Sequence, residues 1–488
     1  MNQQMENQKK DSLIETNGFA TGLDLNKKRL IAFIVAIALF VVGALLPLSA
    51  YGENAGVALG LVMATIALWV FNVVPTIIPA LIMMVVALML NLLDLGTVQS
   101  TLGSSAVYVT MGLVIVSMGA ENSNIAKRLA CFLGEKLGKR PTLILLALLL
   151  ASAIMSAFVS NTATAIMMSG IGAGVLKAMG EEPGKSKFGS ALILLICAGT
   201  AIGGGALING CPGINGMCIS LLENATGMSI AYVDWAKFGV LSAIFLVIPC
   251  WYIYMKFAKV KSSELTSIDP QYFKKLSKEM GPLGGSEIRW IITVTIMIIC
   301  LLCGMPLPTA GLLFGTISML PVVGTVNGEK AMKSMPFTVI IMCGMVPLYG
   351  NLFNNTGLST FFGEVVGSII PKNSVFFAII IPALLMAVLN NLFVNAGAGI
   401  AAICIGAVAP VMVAMGYNPV TCLLPTMMLG GYTIGFGTHV QMMITYGYGY
   451  WEMNEVYKPG FTFVTVTAVI LSVLLFFTAP ILGMSFYL

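Results

Sequence analysis

Residues 157–168 read AFVSNTATAIMM, and they place three small polar side chains, Ser160, Asn161 and Thr162, inside a very apolar region. Thr164 adds a hydroxyl just beyond them. Ser and Thr in membrane helices often bond back to their own helix or join neighbouring helices, which is a purely structural role. The alternative is that the cluster binds a ligand, and this stretch alone leaves both interpretations open.

The composition of the whole chain explains the apolar surroundings. Of 488 residues, 58% are hydrophobic and only 9% are charged, against about 25% charged residues in soluble domains. Apolar runs of about 18 residues or more recur, which is typical of transmembrane helices. The runs do not alternate polar and apolar residues as barrel strands do. We therefore predict an all-α polytopic membrane protein whose partners are lipid and small solutes, with no nucleic acid.

The apolar runs and the basic loops predict the topology and the domain boundaries. The runs lie near 30–49, 55–72, 75–94, 107–124, 141–175, 189–224, 237–257, 288–304, 306–323, 336–353, 374–412, 419–448 and 461–486. Basic residues concentrate near 127–140 and in the polar loop 258–287, and such loops are usually cytoplasmic. We expect a cytoplasmic N-terminal tail 1–29 with no signal peptide, a first repeat 30–257, a cytoplasmic linker 258–287 and a second repeat 288–488 in a multi-pass cell-membrane protein.

The two halves of the chain share an ordered set of motifs. In the first half FVSNTATA precedes GGGALINGCPG, and in the second half FVNAGAG precedes GGYTIGFGTHVQ. Both later segments read Gly-Gly, five residues, Gly, at Gly203 to Gly210 and at Gly430 to Gly437. If each repeat crosses the membrane an odd number of times, the second is inverted. Inverted repeats with broken helices in matching places are typical of secondary transporters.

Broken helices also explain the polar cluster. Backbone that leaves the helix at membrane depth is tolerated only where it lines a cavity or binds something. Helix N-termini favour anions, whereas free carbonyls and Asn or Ser oxygens suit Na⁺. Glycines allow the close backbone approach that such a site needs.

These motifs resemble those of the divalent anion:sodium symporter family of dicarboxylate, citrate and sulfate carriers. LWVFNVVPTIIPALI at 68–82 is similar to its early Trp/Pro segment, and SNTATA is similar to its first Ser-Asn-Thr motif. GCPGIN and GTHVQ occupy the places of its two Gly-Thr-Pro-Pro-Asn-like breaks. The resemblance covers nearly the whole chain. It implies about eleven transmembrane helices in two inverted repeats, each with a re-entrant hairpin and a broken helix, a homodimer, and elevator-type alternating access.

The resemblance also implies site residues. Two Na⁺ sites would use the side chains or backbone of Ser156, Ser160, Asn161 and Gly210 in the first half, and of Asn390, Asn395 and Gly437 in the second. The substrate anion would meet Ser160, Asn161, Thr162, Cys211 and Pro212 on one side and Asn395, Thr438 and His439 on the other. Na⁺ is the expected coupling ion, and no other cofactor is implied.

The second motif departs from the family pattern. The second Ser-Asn-Thr reads Val394-Asn395-Ala396, so two hydroxyls are missing. A hydrogen bond to a charged group contributes roughly 1.5–3 kcal/mol. Without the two hydroxyls, a substrate that needed both would bind much more weakly, so the substrate need not be the usual four-carbon dicarboxylate. Cys211 replaces a Thr and His439 replaces a Pro. Together these departures leave open both the identity of the substrate and whether the second Na⁺ site is kept. His439 is either a satisfied polar residue in a helix break or a substrate contact that responds to protons.

Three functions compete at this point. The favoured one is a Na⁺-coupled secondary transporter of small organic anions of the di- or tricarboxylate class. No Lys or Arg lies near the predicted site, so bound cations and helix dipoles must balance the charge of an anion, which favours cation coupling. The alternative on the same fold is an exchanger or a carrier of a monocarboxylate, an amino-acid-like acid or sulfate. An enzyme is not expected, since the chain has no HExxH motif and no paired intramembrane aspartates. A channel would not need paired hairpins.

Overall fold

The computed structural model describes residues 27–121, 123–138, 140–260, 271–371, 374–393, 396–435 and 439–488, and every regular element in these ranges is a helix. The first half contains α1 Lys27–Leu45, α2 Ala55–Phe71, α3 Ile77–Met89, α4 Leu95–Leu102, α5 Ser105–Glu121, α6 Ile125–Leu137, α7 Pro141–Phe158, α8 Asn161–Ala178, α9 Lys187–Ala206, α10 Pro212–Thr226 and α11 Tyr232–Ala258. The second half contains α12 Tyr272–Glu279, α13 Gly285–Leu302, α14 Leu307–Met319, α15 Gly328–Lys333, α16 Phe337–Met345, α17 Pro347–Thr356, α18 Leu358–Ile369, α19 Val375–Leu392, α20 Gly397–Ala414, α21 Pro419–Leu429, α22 Val440–Tyr446 and α23 Met453–Thr478.

Ten helical segments in the described ranges are long and apolar enough to cross a membrane, close to the expected eleven. Four shorter apolar helices accompany them: α2, α3, α14 and α21. Large apolar side chains lie on the outer surface, such as Ile37 and Leu45 on α1. A surface of this kind is compatible with lipid rather than water, so the chain is a multi-pass membrane protein.

Small residues bring several helices into close contact. A Cβ atom on Gly43 of α1 would lie 2.3 Å from the Cα of Gly60 on α2. A Cβ on Gly112 of α5 would lie 2.1 Å from the backbone of Gly311 on α14. Because lipid gives little drive for apolar helices to associate, such close packing of small residues is a main source of cohesion in membrane proteins.

Helix breaks lie where the polar and glycine-rich motifs predict them. Between α7 and α8 only Val159 and Ser160 are non-helical, and α9 is separated from α10 by a 3₁₀ turn at Ile208–Gly210. In the second half α19 ends at Leu392, and α20 carries a π-helical segment at Ala402–Ala407. The chain from Gly430 to the start of α22 is non-helical where it is described.

Three apolar runs form helices whose bounds differ from the predicted ones. The run 75–94 contains only α3, because Asn91 adopts a left-handed conformation with φ 55°. The helix that was expected from 107 begins earlier, as α4 and α5, with a break near Gly103. The run 336–353 is divided at Val346 ahead of Pro347, since proline has no N–H to continue the helix.

The polar connector is attached to a surface helix of the first half. Arg128 on α6 pairs with Glu287 at 3.1 Å and donates to the carbonyl oxygens of Gly281 at 2.8 Å and Pro282 at 2.7 Å. Glu287 is the only charged side chain that is buried within the described ranges. The pair therefore fixes the end of the predicted linker 258–287, of which 261–270 lies outside the described residues.

Candidate functional site

The loop between α7 and α8 forms a tight tip. Ser160 adopts φ −53° and ψ 144° and caps α8, its hydroxyl accepting from the Ala163 N–H at 3.4 Å. Asn161 is the first residue of α8 and is only 3% exposed, whereas Ser160 and Thr162 are half-buried. The extended conformation at the cap ends one helix and starts the next, so the N-terminus of α8 is presented at the tip.

One end of the Asn161 side-chain amide faces three oxygen atoms. The Gly210 carbonyl oxygen lies 3.0 Å away, the Thr200 carbonyl oxygen 3.1 Å away and the Ser156 Oγ 2.7 Å away. We call these three atoms the oxygen cage. The other end of the amide lies 3.2 Å from Nε2 of Gln441. Three of the four residues of the first predicted cation set, Ser156, Asn161 and Gly210, are thus brought together. The hydroxyl of the fourth, Ser160, caps α8 instead.

The oxygen cage accepts the Asn161 amide in two ways. If the NH₂ group points into the cage, it donates to both carbonyl oxygens and no ion is required. If the amide oxygen points in, the Ser156 hydroxyl can donate to it, but the two carbonyl oxygens are acceptors facing an acceptor. A cation removes that repulsion, because carbonyl, amide and hydroxyl oxygens are the ligands that hard cations take. The residues present therefore fit a small hard cation.

Glycines make room for this arrangement. A Cβ on Gly204 would lie 2.3 Å from the Asn161 amide, and a Cβ on Gly210 would lie 2.2 Å from the Ser156 carbonyl oxygen. A Cβ on Gly203 would lie 2.0 Å from the Ala153 carbonyl oxygen. Any larger residue would push the broken helix away from the hairpin, so the glycine run sets the spacing of the site.

The turn before α10 is held by its own polar contacts. Asn215 Nδ2 donates to the Gly204 carbonyl oxygen at 2.9 Å and the Leu207 carbonyl oxygen at 3.3 Å. Cys211 precedes Pro212, which is the first residue of α10. The N-terminus of α10 therefore begins directly after Gly210 of the oxygen cage, as the motif predicts.

The second half contributes two asparagines that are fully buried. Asn390 Nδ2 donates to the Gly430 carbonyl oxygen at 3.0 Å, and its Oδ1 has no hydrogen-bond partner within the described ranges. Asn391 Nδ2 donates to the Tyr432 carbonyl oxygen at 2.9 Å while its Oδ1 accepts from the Gly435 N–H at 2.7 Å. Asn390 and Asn391 thus tie α19 to the break after α21. The predicted site residues Asn395, Gly437 and Thr438 lie outside the described residues.

The start of α22 brings the second half to the hairpin tip. His439 precedes α22, is half-buried, and its Nδ1 finds no partner in the described part of the chain. Gln441, 3% exposed, contacts Asn161 and also lies with Oε1 3.4 Å from Thr200 Oγ1. Because α22 packs against α8 and α9, the two halves meet at Asn161.

Sequence reasoning missed four residues that hold this site: Thr200, Asn215, Asn391 and Gln441. Gln441 closes the quoted GTHVQ motif and Asn391 follows the predicted Asn390, so both lay within reach of the motif argument. Thr200 acts in the oxygen cage through its carbonyl oxygen, which any residue carries. No side-chain signal could have identified that carbonyl oxygen as part of the cage.

Comparisons with known proteins agree with this architecture. The family model described as citrate transporter matches residues 66–424. The sodium-dependent dicarboxylate transporter SdcS of Staphylococcus saprophyticus is 25% identical over 448 residues, covering 84% of either chain. SdcS of Staphylococcus aureus strain USA300 is 23% identical over 443 residues, covering 85% of this chain and 84% of the relative.

Two solved structures share the fold. MtrF of Neisseria gonorrhoeae, described with a class of antimetabolite efflux pumps, gives a TM-score of 0.55 at 11% identity and covers 80% of this chain and 83% of that chain. The YdaH transporter of Alcanivorax borkumensis gives a TM-score of 0.53 at 14% identity and covers 79% and 87%. At such identities the likeness concerns the fold alone. The match over residues 66–424 is the decisive one. The chain belongs to the citrate transporter family, as a divergent membrane transporter that is similar to the divalent anion:sodium symporters.

Proposed function

We propose that the protein is a Na⁺-coupled secondary transporter of small organic anions of the di- or tricarboxylate class. The oxygen cage around Asn161 carries the proposal, since it offers several neutral oxygen ligands to a hard cation. The relatives named sodium-dependent dicarboxylate transporters support the choice of ion and of substrate.

Two helix N-termini are suited to the anion. The helices α8 and α10 begin next to the cage, at Ser160 and at Cys211–Pro212, and their free N–H groups favour negative charge. The half-buried hydroxyls of Ser160 and Thr162 are further donors. Because the cage has no formal charge of its own, a bound cation supplies the positive charge that a carboxylate needs. Binding of the cation therefore favours binding of the anion, and binding of the anion favours binding of the cation.

The repeated order of elements supports two inverted repeats, 30–257 and 288–488. In each half a surface helix, α6 or α18, precedes a helix pair with a break, α7–α8 or α19–α20. A broken segment and a long final helix, α11 or α23, follow, and these two final helices pack together. We infer that the pairs are re-entrant hairpins that move with the broken helices by an elevator mechanism. The homodimer, the cell membrane and the cytoplasmic tail 1–29 are part of the same proposal and are supported by the resemblance and the basic loops.

Transport into proteoliposomes tests the proposal. Purified protein should take up labelled succinate or citrate when an inward Na⁺ gradient is imposed, and uptake should fall to background with an equal K⁺ gradient. Equal uptake with the Na⁺ gradient and with the K⁺ gradient would refute Na⁺ coupling.

A second function, anion exchange or transport of a different solute, is favoured by one observation. Ala396, at the start of the second hairpin's return helix, is fully buried and has no hydroxyl to offer. A pocket with fewer donors on one side is suited to an anion with one carboxylate or a different shape. Uptake that requires internal counter-substrate and no Na⁺ would select the exchanger, and a competition panel of monocarboxylates, amino acids and sulfate would identify the other solutes.

A further inference from the structure

We propose that Gln441 is a positioning residue that sets cation affinity from the opposite half of the protein, by fixing which end of the Asn161 amide faces the oxygen cage. The inference rests on the proposed Na⁺ coupling and adds a mechanism to it. Its elements are the side chains of Asn161, Gln441 and Thr200, which we call the amide chain. All three are buried, with exposures of 3%, 3% and 0%.

The amide chain has two self-consistent arrangements. In the first, Asn161 Nδ2 donates into the cage, Asn161 Oδ1 accepts from Gln441 Nε2 at 3.2 Å, and Gln441 Oε1 faces Thr200 Oγ1 at 3.4 Å. In the second, both amides are turned over. Asn161 Oδ1 then faces the cage, its Nδ2 donates to Gln441 Oε1, and Gln441 Nε2 points to Thr200 Oγ1. Only the second arrangement adds the Asn161 amide oxygen to the oxygens of the cage, and so only this one completes a cation site.

Thr200 distinguishes the two arrangements because its hydroxyl has a single proton. That hydroxyl donates to the Cys197 carbonyl oxygen at 2.7 Å, a much shorter contact than the 3.4 Å to Gln441 Oε1. With its proton committed to Cys197, Thr200 Oγ1 is an acceptor on the side that faces Gln441. An acceptor there pairs well with Gln441 Nε2 and poorly with Gln441 Oε1. Thr200 therefore favours the second arrangement, the one that binds a cation.

The amide chain also connects the halves of the protein. Asn161 and Thr200 lie on α8 and α9 of the first half, whereas Gln441 lies on α22 of the second half, two residues after His439. A cation that turns the Asn161 amide must turn the Gln441 amide as well, or leave a buried amide group unpaired. The occupancy of the first cation site is thereby linked to the position of α22.

Removing the Thr200 hydroxyl tests the amide chain without touching the carbonyl oxygen in the cage. Thr200→Val keeps the side-chain shape but deprives Gln441 Nε2 of its acceptor in the cation-binding arrangement only. One neutral hydrogen bond of about 1 kcal/mol corresponds to about a fivefold rise in the Na⁺ concentration that half-saturates the protein. Thr200→Ser retains the hydroxyl and should raise the half-saturating Na⁺ concentration less than Thr200→Val does. Thr445→Val is the matched control, because Thr445 is a buried threonine on α22 that bonds to Met442 and Trp451 instead.

The readout is thermal unfolding of the detergent-purified protein, titrated with NaCl against choline chloride, since a ligand of the folded state raises the unfolding temperature. In a Gln441→Met background, Thr200→Val should no longer change the Na⁺ half-saturation, because residues in one hydrogen-bond network are non-additive. An equal shift in both backgrounds, an unchanged half-saturation in Thr200→Val, or the same shift in Thr200→Ser would each overturn the role of the amide chain. A wild-type protein that NaCl stabilises no more than choline chloride would instead refute Na⁺ binding itself, and this proposal with it.

Discussion

Gly204→Ala is the substitution that most selectively displaces Asn161. The new Cβ would lie 2.3 Å from the Asn161 amide, about 1.1 Å closer than the 3.4 Å at which ordinary contact begins. Asn161 must retreat by about that distance, which stretches its contacts with the Gly210 and Thr200 carbonyl oxygens from 3.0 and 3.1 Å to about 4 Å, beyond hydrogen-bond reach. A misplacement of about 1 Å at a functional group costs about a hundredfold in rate, equivalent to about 2.7 kcal/mol.

The protein should remain folded while transport is lost. Overpacking a buried site costs about 1–3 kcal/mol, which is less than the stability of a typical domain of about 5–15 kcal/mol. We therefore expect Gly204→Ala to reduce the kcat/KM of Na⁺-driven uptake about a hundredfold, with a thermal unfolding transition that is still cooperative.

Gly205→Ala provides the matched control. Gly205 is the next residue of α9, and its Cβ would meet side chains other than Asn161: Tyr432, at 3.1 Å from Cε2 and 3.3 Å from the hydroxyl, and Met428, at 3.5 Å from Cε. Both substitutions gain the same helix propensity, so any difference between them reports on Asn161. The reasoning is refuted if Gly204→Ala transports as well as Gly205→Ala at the same Na⁺ half-saturation.

Three further predictions concern topology and specificity. Cysteines introduced at Lys136 and Lys275 should escape external labelling in intact cells, because both lie in the basic segments predicted to be cytoplasmic; strong external labelling of either would overturn the topology. The double variant Val394→Ser/Ala396→Thr, of which Val394 lies outside the described residues, should make succinate a stronger competitor of uptake. If a panel of mono- and dicarboxylates competes in the same order as with the wild-type protein, the tip of the second predicted hairpin does not contact the substrate. Thr162→Val should weaken substrate binding by about 1–3 kcal/mol, measured as a higher KM at saturating Na⁺; an unchanged KM would remove Thr162 from the site.

Much of the first half of the site follows from the sequence, because polar and glycine residues mark the helix breaks. Ser160 between two apolar helices and the run Gly203–Gly205 before Gly210 are visible as interruptions of hydropathy. The structure brings Asn161 and Gly210 together, a pairing that the family resemblance implies. Local pattern was sufficient here since each break is encoded by residues at the break itself.

The contacts of Asn161 could not be predicted in the same way, although Gln441 itself stands in the quoted GTHVQ motif. Gln441 reaches Asn161 from the other half of the chain, and that contact depends on how α22 packs against α8 and α9. Thr200 contributes a backbone carbonyl oxygen, which has no signature in the residue type. The division of the run 336–353 at Pro347 could have been read from the proline, whereas the π-helical segment at Ala402–Ala407 has no comparable local cause.

The most direct test of the central claim is a simultaneous flux measurement of ²²Na⁺ and ¹⁴C-succinate into the same proteoliposomes. For the wild-type protein we predict that the two labels enter in a fixed ratio. For Asn161→Ala, with its fold verified by thermal unfolding, we predict that both fluxes fall to background, because the amide that joins the oxygen cage to the substrate side is gone. Succinate uptake by Asn161→Ala with unchanged Na⁺ dependence, or wild-type succinate uptake without any Na⁺ flux, would contradict the account.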